Sequence, residues 1–254
     1  MIRHGRAQTL GSARFVRVTE SGQAGLADLA EVFADIARHL QAETSPERTQ
    51  DRVARAAVAT VDGCDHAAIS IIRRRGGLQT VSATDDVPQR VDAIQYDVGQ
   101  GPCLDVIAER SAYLIDDLVG DERWPQFSRR AVEETGVRSM LSFRLFVQAD
   151  TIGALNLYSR RPAAFDEHDY AVGAVLAAHG AIAMSAARQR EQAEQLEDAL
   201  RSSREIGMAM GVLMGRGGVT QDEAFTSLRN ASQYLHRKLR EVAAEVVDTG
   251  QLPG

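Results

Sequence analysis

In RNASQYLHRKLREVA, residues 229–243, the side chains of Arg229, Asn230, Ser232, Gln233, His236, Arg237, Lys238 and Arg240 crowd together, and no acidic residue interrupts them until Glu241. From Arg229 to Arg240 they occupy about three helical turns of chain. Arg and Lys neutralise phosphates. Gln and Ser can hydrogen-bond to base edges, and Arg or His can stack on an unpaired base. A solvated face accounts for most such charge runs, so the residue types alone leave both readings open.

Elsewhere the chemistry is thinner. Cys64 and His66 stand in DGCDHAA, and the only other cysteine is Cys103. A zinc site wants four ligands with short paired spacings, so these residues read as buried reduced thiols and no metal is expected. Cys103 falls at the N-terminus of an expected helix, a place that can lower a thiol's pKa, which keeps redox sensing as an alternative. Trp124 and Phe127 in DERWPQF could line a ligand pocket or cover a sheet. Ser139, Ser142 and Asn156 lie on expected strands and could offer polar groups to such a pocket. The period of a strand turns Ser139 and Ser142 to opposite faces. Asp116 and Asp117 are adjacent and read as a strand-end turn, and His168 and His179 have no catalytic partner nearby in sequence. There is no nucleophile motif and no phosphate-cradling loop. No catalytic residue, no cofactor and no enzymatic activity are expected.

These residues need elements to position them. The 254 residues are 44% hydrophobic and 25% charged with a formal net charge of -6, an ordinary balance for a globular protein. It speaks against nonspecific coating of nucleic acid and does not exclude a local basic face. No run of eighteen apolar residues occurs, so no membrane-spanning helix is expected. Two cysteines in a chain without a secretory signal fit a reducing cytoplasm. Residues 1–23 read as a disordered tail. Gly25–Leu40 and Thr44–Val61 read as helices, the second opened by Ser45, Pro46 and Glu47.

His66–Arg74 and Leu78–Thr84 read as a hairpin around Gly76 and Gly77, Cys103–Ser111 as a helix started by Pro102, and Ala112–Asp117 as a strand. Trp124–Gly136 reads as a helix ended by its glycine. Ser139–Val147 and Thr151–Ser159 are two strong strands around QAD. Hairpins mixed with helices imply an α+β domain with an antiparallel sheet flanked by helices. From Asp166 to Arg216 the pattern is helical almost without a break. Its weak stripe, Ala186, Ala193, Leu196, Leu200, Met210 and Met214, is broken in register by Gln189 and Ser203. Such a helix finds its natural partner in a second copy, so a coiled-coil homodimer is expected, with a solvated linker helix as the alternative. Gly217 and Gly218 then stop the helix, and Thr220 with Glu223 forms a capping box for the next one.

The last fifty or so residues resemble an ANTAR domain, a three-helix RNA-binding module of bacterial antiterminators. The matching stretches are IGMAMGVLM (206–214), VTQDEAFTSLRNASQ (219–233) and RKLREVAAEVV (237–247). Two positions depart from the family pattern: Met210 where a basic residue is common, and His236, near the start of the third helix, where Asn is usual and would cap well. The middle of the chain resembles a GAF sensor domain through GQGPCLDV (99–106), DDLVGDERWPQF (116–127), GVRSMLSFRL (136–145) and IGALNLYSRRPAAFDEHD (152–169).

The pairing resembles the GAF–ANTAR regulators of bacteria. It implies a GAF domain with N-terminal helices over 24–188, a coiled-coil linker helix over 189–203 and an all-α, three-helix ANTAR domain over 204–250. The resemblance also implies that the opening stretch spans a helix end and the next helix start, with Arg229, Ser232 and Gln233 on one face and His236, Arg237 and Lys238 beside them as RNA-binding residues. Trp124, Phe127, Ser142 and Asn156 become candidate ligand-pocket residues for a small molecule. The implied function is signal-responsive transcription antitermination, in which a cytoplasmic dimer, away from any membrane, holds stem-loops in leader transcripts. Three alternatives remain: a DNA-binding regulator, an enzyme like the GAF-type methionine sulfoxide reductases that use cysteines, and a dimeric module that binds only protein.

Overall fold

The computed structural model describes residues 45–73, 77–108, 111–147 and 150–253. The expected tail, the expected helix at 25–40, Gly76 and the Gln148–Ala149 turn lie outside the described residues. The chain divides into two compact units, one over 50–182 and one over 43–49 with 183–254.

The first unit is built on helix α1 (Pro46–Thr60), strands β1 (His66–Ile72) and β2 (Leu78–Ala83), helices α2 (Asp86–Val98) and α3 (Pro102–Ala108), strand β3 (Ala112–Ile115), helix α4 (Pro125–Thr135), and strands β4 (Ser139–Val147) and β5 (Asp150–Ser159). The five strands form one antiparallel sheet in the order β2-β1-β5-β4-β3. Helix α5 (Glu167–Gly217) follows.

Strand periodicity divides the sheet's side chains into two sets. Ile69, Leu141, Phe143, Leu145, Leu155 and Leu157 are buried on one face. Helix α5 lies against this face: the Phe143 ring meets Tyr170, 5.5 Å between centroids, and a Cβ on Gly173 would strike the Phe143 ring, so the helix approaches this closely only with glycine there. On the other face Ala68, Tyr113, Ile115, Met140, Ala154 and Tyr158 join Val91, Ile94, Cys103, Val106, Trp124 and Phe127 in one core beneath α2, α3 and α4. Helix α2 is absent from the sequence reading. Its signals are ordinary: Asp85 caps it by accepting from Val87 N, and Gly99 ends it in the left-handed conformation.

The second unit takes the C-terminal part of α5, then α6 (Gln221–Tyr234) and α7 (Leu239–Thr249). Ala209, Leu228, Val242, Ala243 and Val246 are fully buried between them, and Met210 packs against that core. The capping box is complete: the Thr220 hydroxyl accepts from Glu223 N, and the Glu223 carboxylate accepts from Thr220 N.

The 51 residues of α5 span about 77 Å at 1.5 Å per residue. An 18-residue window of α5 reaches a mean hydropathy of 1.5, so length and composition alone would let it cross a membrane even though no unbroken apolar run is present. Val172, Leu176, Ala177 and Ala181 are instead buried in the first unit, as in the core helix of a globular domain.

Candidate functional site

The second unit carries the expected basic surface on α6 and the corner that follows it. Leu228 and Ala224 bury one side of α6, which turns Arg229, Asn230 and Gln233 outward. Arg229, Gln233, His236 and Lys238 are exposed, and the first two are one helical turn apart. None of the four side chains has a hydrogen-bond or ion-pair partner among the described residues.

The other expected members are placed differently. Ser232 is a clamp: its hydroxyl donates to Arg237 O at 2.6 Å and its carbonyl accepts from Arg237 N. Arg237 pairs with Glu245 at 2.6 Å, an exposed pair of modest worth that leaves the guanidinium recruitable. Arg240 lines a groove with Asp198, Arg201, Ser202, Glu205 and Glu241, on the side of the unit facing α5.

His236 is not a helix cap. The cap of α7 is Lys238, which makes no side-chain capping bond. His236 instead has φ +51, a left-handed conformation that Asn, Asp and His adopt more readily than other non-glycine residues.

The first unit holds a second cluster, buried rather than exposed. Asp92, on α2, accepts hydrogen bonds from Ser70 Oγ at 2.9 Å, Thr80 Oγ1 at 2.8 Å, Gln95 Nε2 at 3.1 Å and Tyr158 OH at 2.5 Å. Tyr96 OH donates to Ser70 Oγ, and Gln95 Oε1 accepts from Cys103 N. Burial pushes the Asp92 carboxyl upward against the pull of its four donors, and burial with the nearby Asp92 charge also raises Tyr158. Sequence reasoning missed this cluster. Asp92 stands between Val91 and Ile94 on the inward side of a helix, where a polar residue is informative because it is rare.

Beside this network lie polar atoms with no partner. Asn156 is paired across the sheet with Ser142 on one side and Ala68 on the other, and Ser142 with Tyr113. The row runs along the face covered by α2–α4, and Arg144 is the next inward residue on β4. Ser142 Oγ, Arg144 Nε and both polar atoms of the Asn156 amide are buried and make no hydrogen bond. Trp124 and Phe127 are in the core above the same face. The Trp124 indole donates to Asp105 at 2.7 Å and meets Tyr113 edge-on at 5.4 Å. Ser139, on the opposite side of β4, donates to Arg161 O.

The expectation that a helix N-terminus lowers the Cys103 pKa is overturned. Cys103 is fully buried, and burial first, the Asp92 charge second, push its thiol up to about 12. Cys64 is likewise pushed up to about 12 by burial, with its Sγ against His66 O. Neither thiol is poised as a nucleophile. Among the described residues no group of His, Cys, Asp and Glu could hold a metal.

A family model for the GAF domain matches residues 43–185, and one for the ANTAR domain matches residues 194–247. Among solved structures, the GAF domain of a phosphoenolpyruvate-protein phosphotransferase from Coxiella burnetii is similar at 16% identity, over 65% of this chain and 98% of that one, with a TM-score of 0.52. The corresponding domain from Acinetobacter gives 14%, 63%, 94% and 0.51. The phytochrome photosensory core module of Stigmatella aurantiaca gives 10% identity over 84% of this chain but only 46% of its own, with a TM-score of 0.54. At these identities the likeness shows the fold alone. No curated protein matches the chain.

Proposed function

The chain belongs to the GAF domain family and carries an ANTAR domain after it, and on that premise we propose that it is a signal-responsive RNA-binding regulator of transcription antitermination. The ANTAR unit binds small stem-loops in leader transcripts and so prevents an overlapping terminator hairpin from forming. The mechanism is binding, and no bond is made or broken. The observation that carries this reading is the outward cluster Arg229, Gln233, His236 and Lys238, whose side chains are unspent on the fold while Ser232 holds the corner beneath them.

The GAF unit senses a small molecule. Support comes from Ser142, Arg144 and Asn156, whose unpaired buried atoms each carry a desolvation cost of about 1–3 kcal/mol that a ligand's complementary groups would offset. Trp124 and Phe127, packed in the adjoining core, would give such a ligand apolar rather than polar contacts. The dimer forms through α5: Leu196 and Leu200, one turn apart, are 61% and 62% exposed, an apolar pair suited to a second copy of the same helix. Residues 189–203 are then the coiled-coil linker between a GAF domain over 24–188 and an ANTAR domain over 204–250. A signal acts by biasing the register or crossing of the paired helices. A chain that works in this way acts in the cytoplasm.

Binding of the purified protein to a synthetic leader RNA with tandem short hairpins, across salt concentrations, tests the reading. Arg229→Ala and Gln233→Ala should weaken loop-dependent binding, and duplex DNA should fail to displace the RNA. Displacement by duplex DNA would favour the DNA-binding alternative. Binding that both variants leave intact would remove this face as the reader.

A further inference from the structure

The RNA reading above leaves one prominent side chain of the α6 corner unused. Tyr234 is the last residue of α6 and is 81% exposed, the most exposed large apolar side chain among the described residues. The corner that presents it is ordered by its own backbone bonds: Leu235 N donates to Ala231 O, His236 N to Gln233 O, and Arg237 N to Ser232 O. The aromatic ring therefore stands on a rigid helix end, one turn from Asn230 and next in sequence to Gln233. Arg229, five residues earlier on α6, and Lys238, four residues later, are cations, and with the His236 ring they are exposed and have no partner among the described residues. A tyrosine combines a flat apolar ring with a polar tip, and its two side-chain torsions lose little freedom on binding. Acidic peptides would be served by the cations alone and have no use for the ring. An unpaired base needs both: a phosphate neutralised beside it and a π-face to stack on.

We propose that Tyr234 is a base-stacking residue of this surface, taking an unpaired loop base of the bound hairpin while Lys238 and Arg229 hold the flanking phosphates. The inference rests on the RNA-binding reading and adds the chemistry by which a loop is told from a duplex. A stem has no free base face at its surface, whereas a loop does.

The test uses the full-length chain and a synthetic RNA of two tandem short hairpins, with a matched RNA whose loop nucleotides are abasic. Tyr234→Ala should weaken hairpin binding roughly 5- to 100-fold, and Tyr234→Phe should stay within about two-fold of wild type because the π-face is kept. The slope of log affinity against log salt should be unchanged in Tyr234→Ala, since no charge is lost, whereas Lys238→Ala should reduce it by about 1. On the abasic RNA, wild type and Tyr234→Ala should bind alike. The ring is solvent-exposed, so the melting temperature should not move, which separates binding from folding. Equal hairpin binding by wild type and Tyr234→Ala overturns the role of Tyr234 and leaves the RNA reading standing. A loss that persists undiminished on the abasic RNA overturns stacking as its cause. A wild-type chain that binds no hairpin RNA even at low salt overturns the RNA reading and this inference together.

Discussion

In the first unit Asp92, Ser70, Thr80, Gln95 and Tyr158 turn their polar atoms inward, against a sheet and under three helices. In the second, Arg229, Gln233, Tyr234, His236 and Lys238 turn outward from a small core of Ala209, Leu228, Val242, Ala243 and Val246. The difference follows from what each unit has to hide. A five-stranded sheet covered on both faces has a deep interior, where a carboxylate can be surrounded by four donors. A three-helix unit has a core of a few side chains and no depth for a polar network, so its chemistry lies on the surface. Polar groups in the first unit therefore affect stability strongly, and those in the second affect partners strongly and stability little. Each variant below probes one side of that contrast.

The largest effect should come from Asp92→Ala. Ser70, Thr80, Gln95 and Tyr158 would lose a common acceptor inside the core, at a cost of about 3–5 kcal/mol, read as a lower urea midpoint. The network also predicts a pH dependence. A carboxyl whose pKa is raised on folding holds its proton more tightly in the folded chain. Its contribution is therefore greatest in acid and declines as pH rises from the unfolded value of about 3.9 through the raised folded value. Asp92→Asn should flatten this slope. An unchanged midpoint in Asp92→Ala would break the contrast at its strongest point.

Next in size is the exposed stripe of α5. A leucine moved from water into a helix interface is worth about 1.5–3 kcal/mol, so Leu200→Glu should convert a dimer to monomer at micromolar concentration in sedimentation. The thermal transition of the GAF unit should be preserved. A wild-type chain that sediments as a monomer would make Leu196 and Leu200 merely solvated.

The third variant acts on the unpaired atoms of the sensor interior. Asn156→Leu removes two orphaned polar atoms in a side chain of similar size and should stabilise the ligand-free chain by about 1–2 kcal/mol, measured by thermal melting. If the amide holds ordered water instead, the same substitution should destabilise. Stabilisation with loss of response to signal would mark Asn156 as a residue kept for binding at the expense of stability.

How much of this was legible beforehand follows the same division. The strands at 139–147 and 151–159 were legible as two apolar runs around the QAD turn, and the long helix as a helical pattern almost without a break, though with only a weak apolar stripe. The α6 start was legible from Thr220 and Glu223, because a capping box is local chemistry. Helix α2 was missed although Asp85, Val87, Val91, Ile94 and Gly99 mark it, because Pro88, Asp92 and Gln95 disrupt its apolar face. With α2 went Asp92, since which polar atoms meet in a core depends on strand register and helix placement far apart in sequence. The basic stretch was visible as composition. Which of its members are free was not, because the Ser232 clamp, the Arg237–Glu245 pair and the Arg240 groove depend on the turn between α6 and α7 and on α5.

The smallest predicted effect separates fold from function at a single residue of the second unit. His236 occupies a left-handed conformation that strains a residue with a Cβ by about 1 kcal/mol. Glycine relieves that strain but adds freedom to the unfolded chain at a cost of roughly 0.4–1 kcal/mol, so His236→Gly should raise stability by no more than a few tenths of a kcal/mol. His236→Asn should be neutral or slightly stabilising, as Asn tolerates the same region. If His236 only shapes the corner, both variants keep full RNA affinity. If its ring also contacts RNA, His236→Gly binds more weakly while melting higher, and His236→Asn recovers part of the loss through its amide. A destabilised His236→Gly would mean that the imidazole contributes to the fold more than its backbone strain removes, and the outward-facing cluster of the second unit would then share in holding it together.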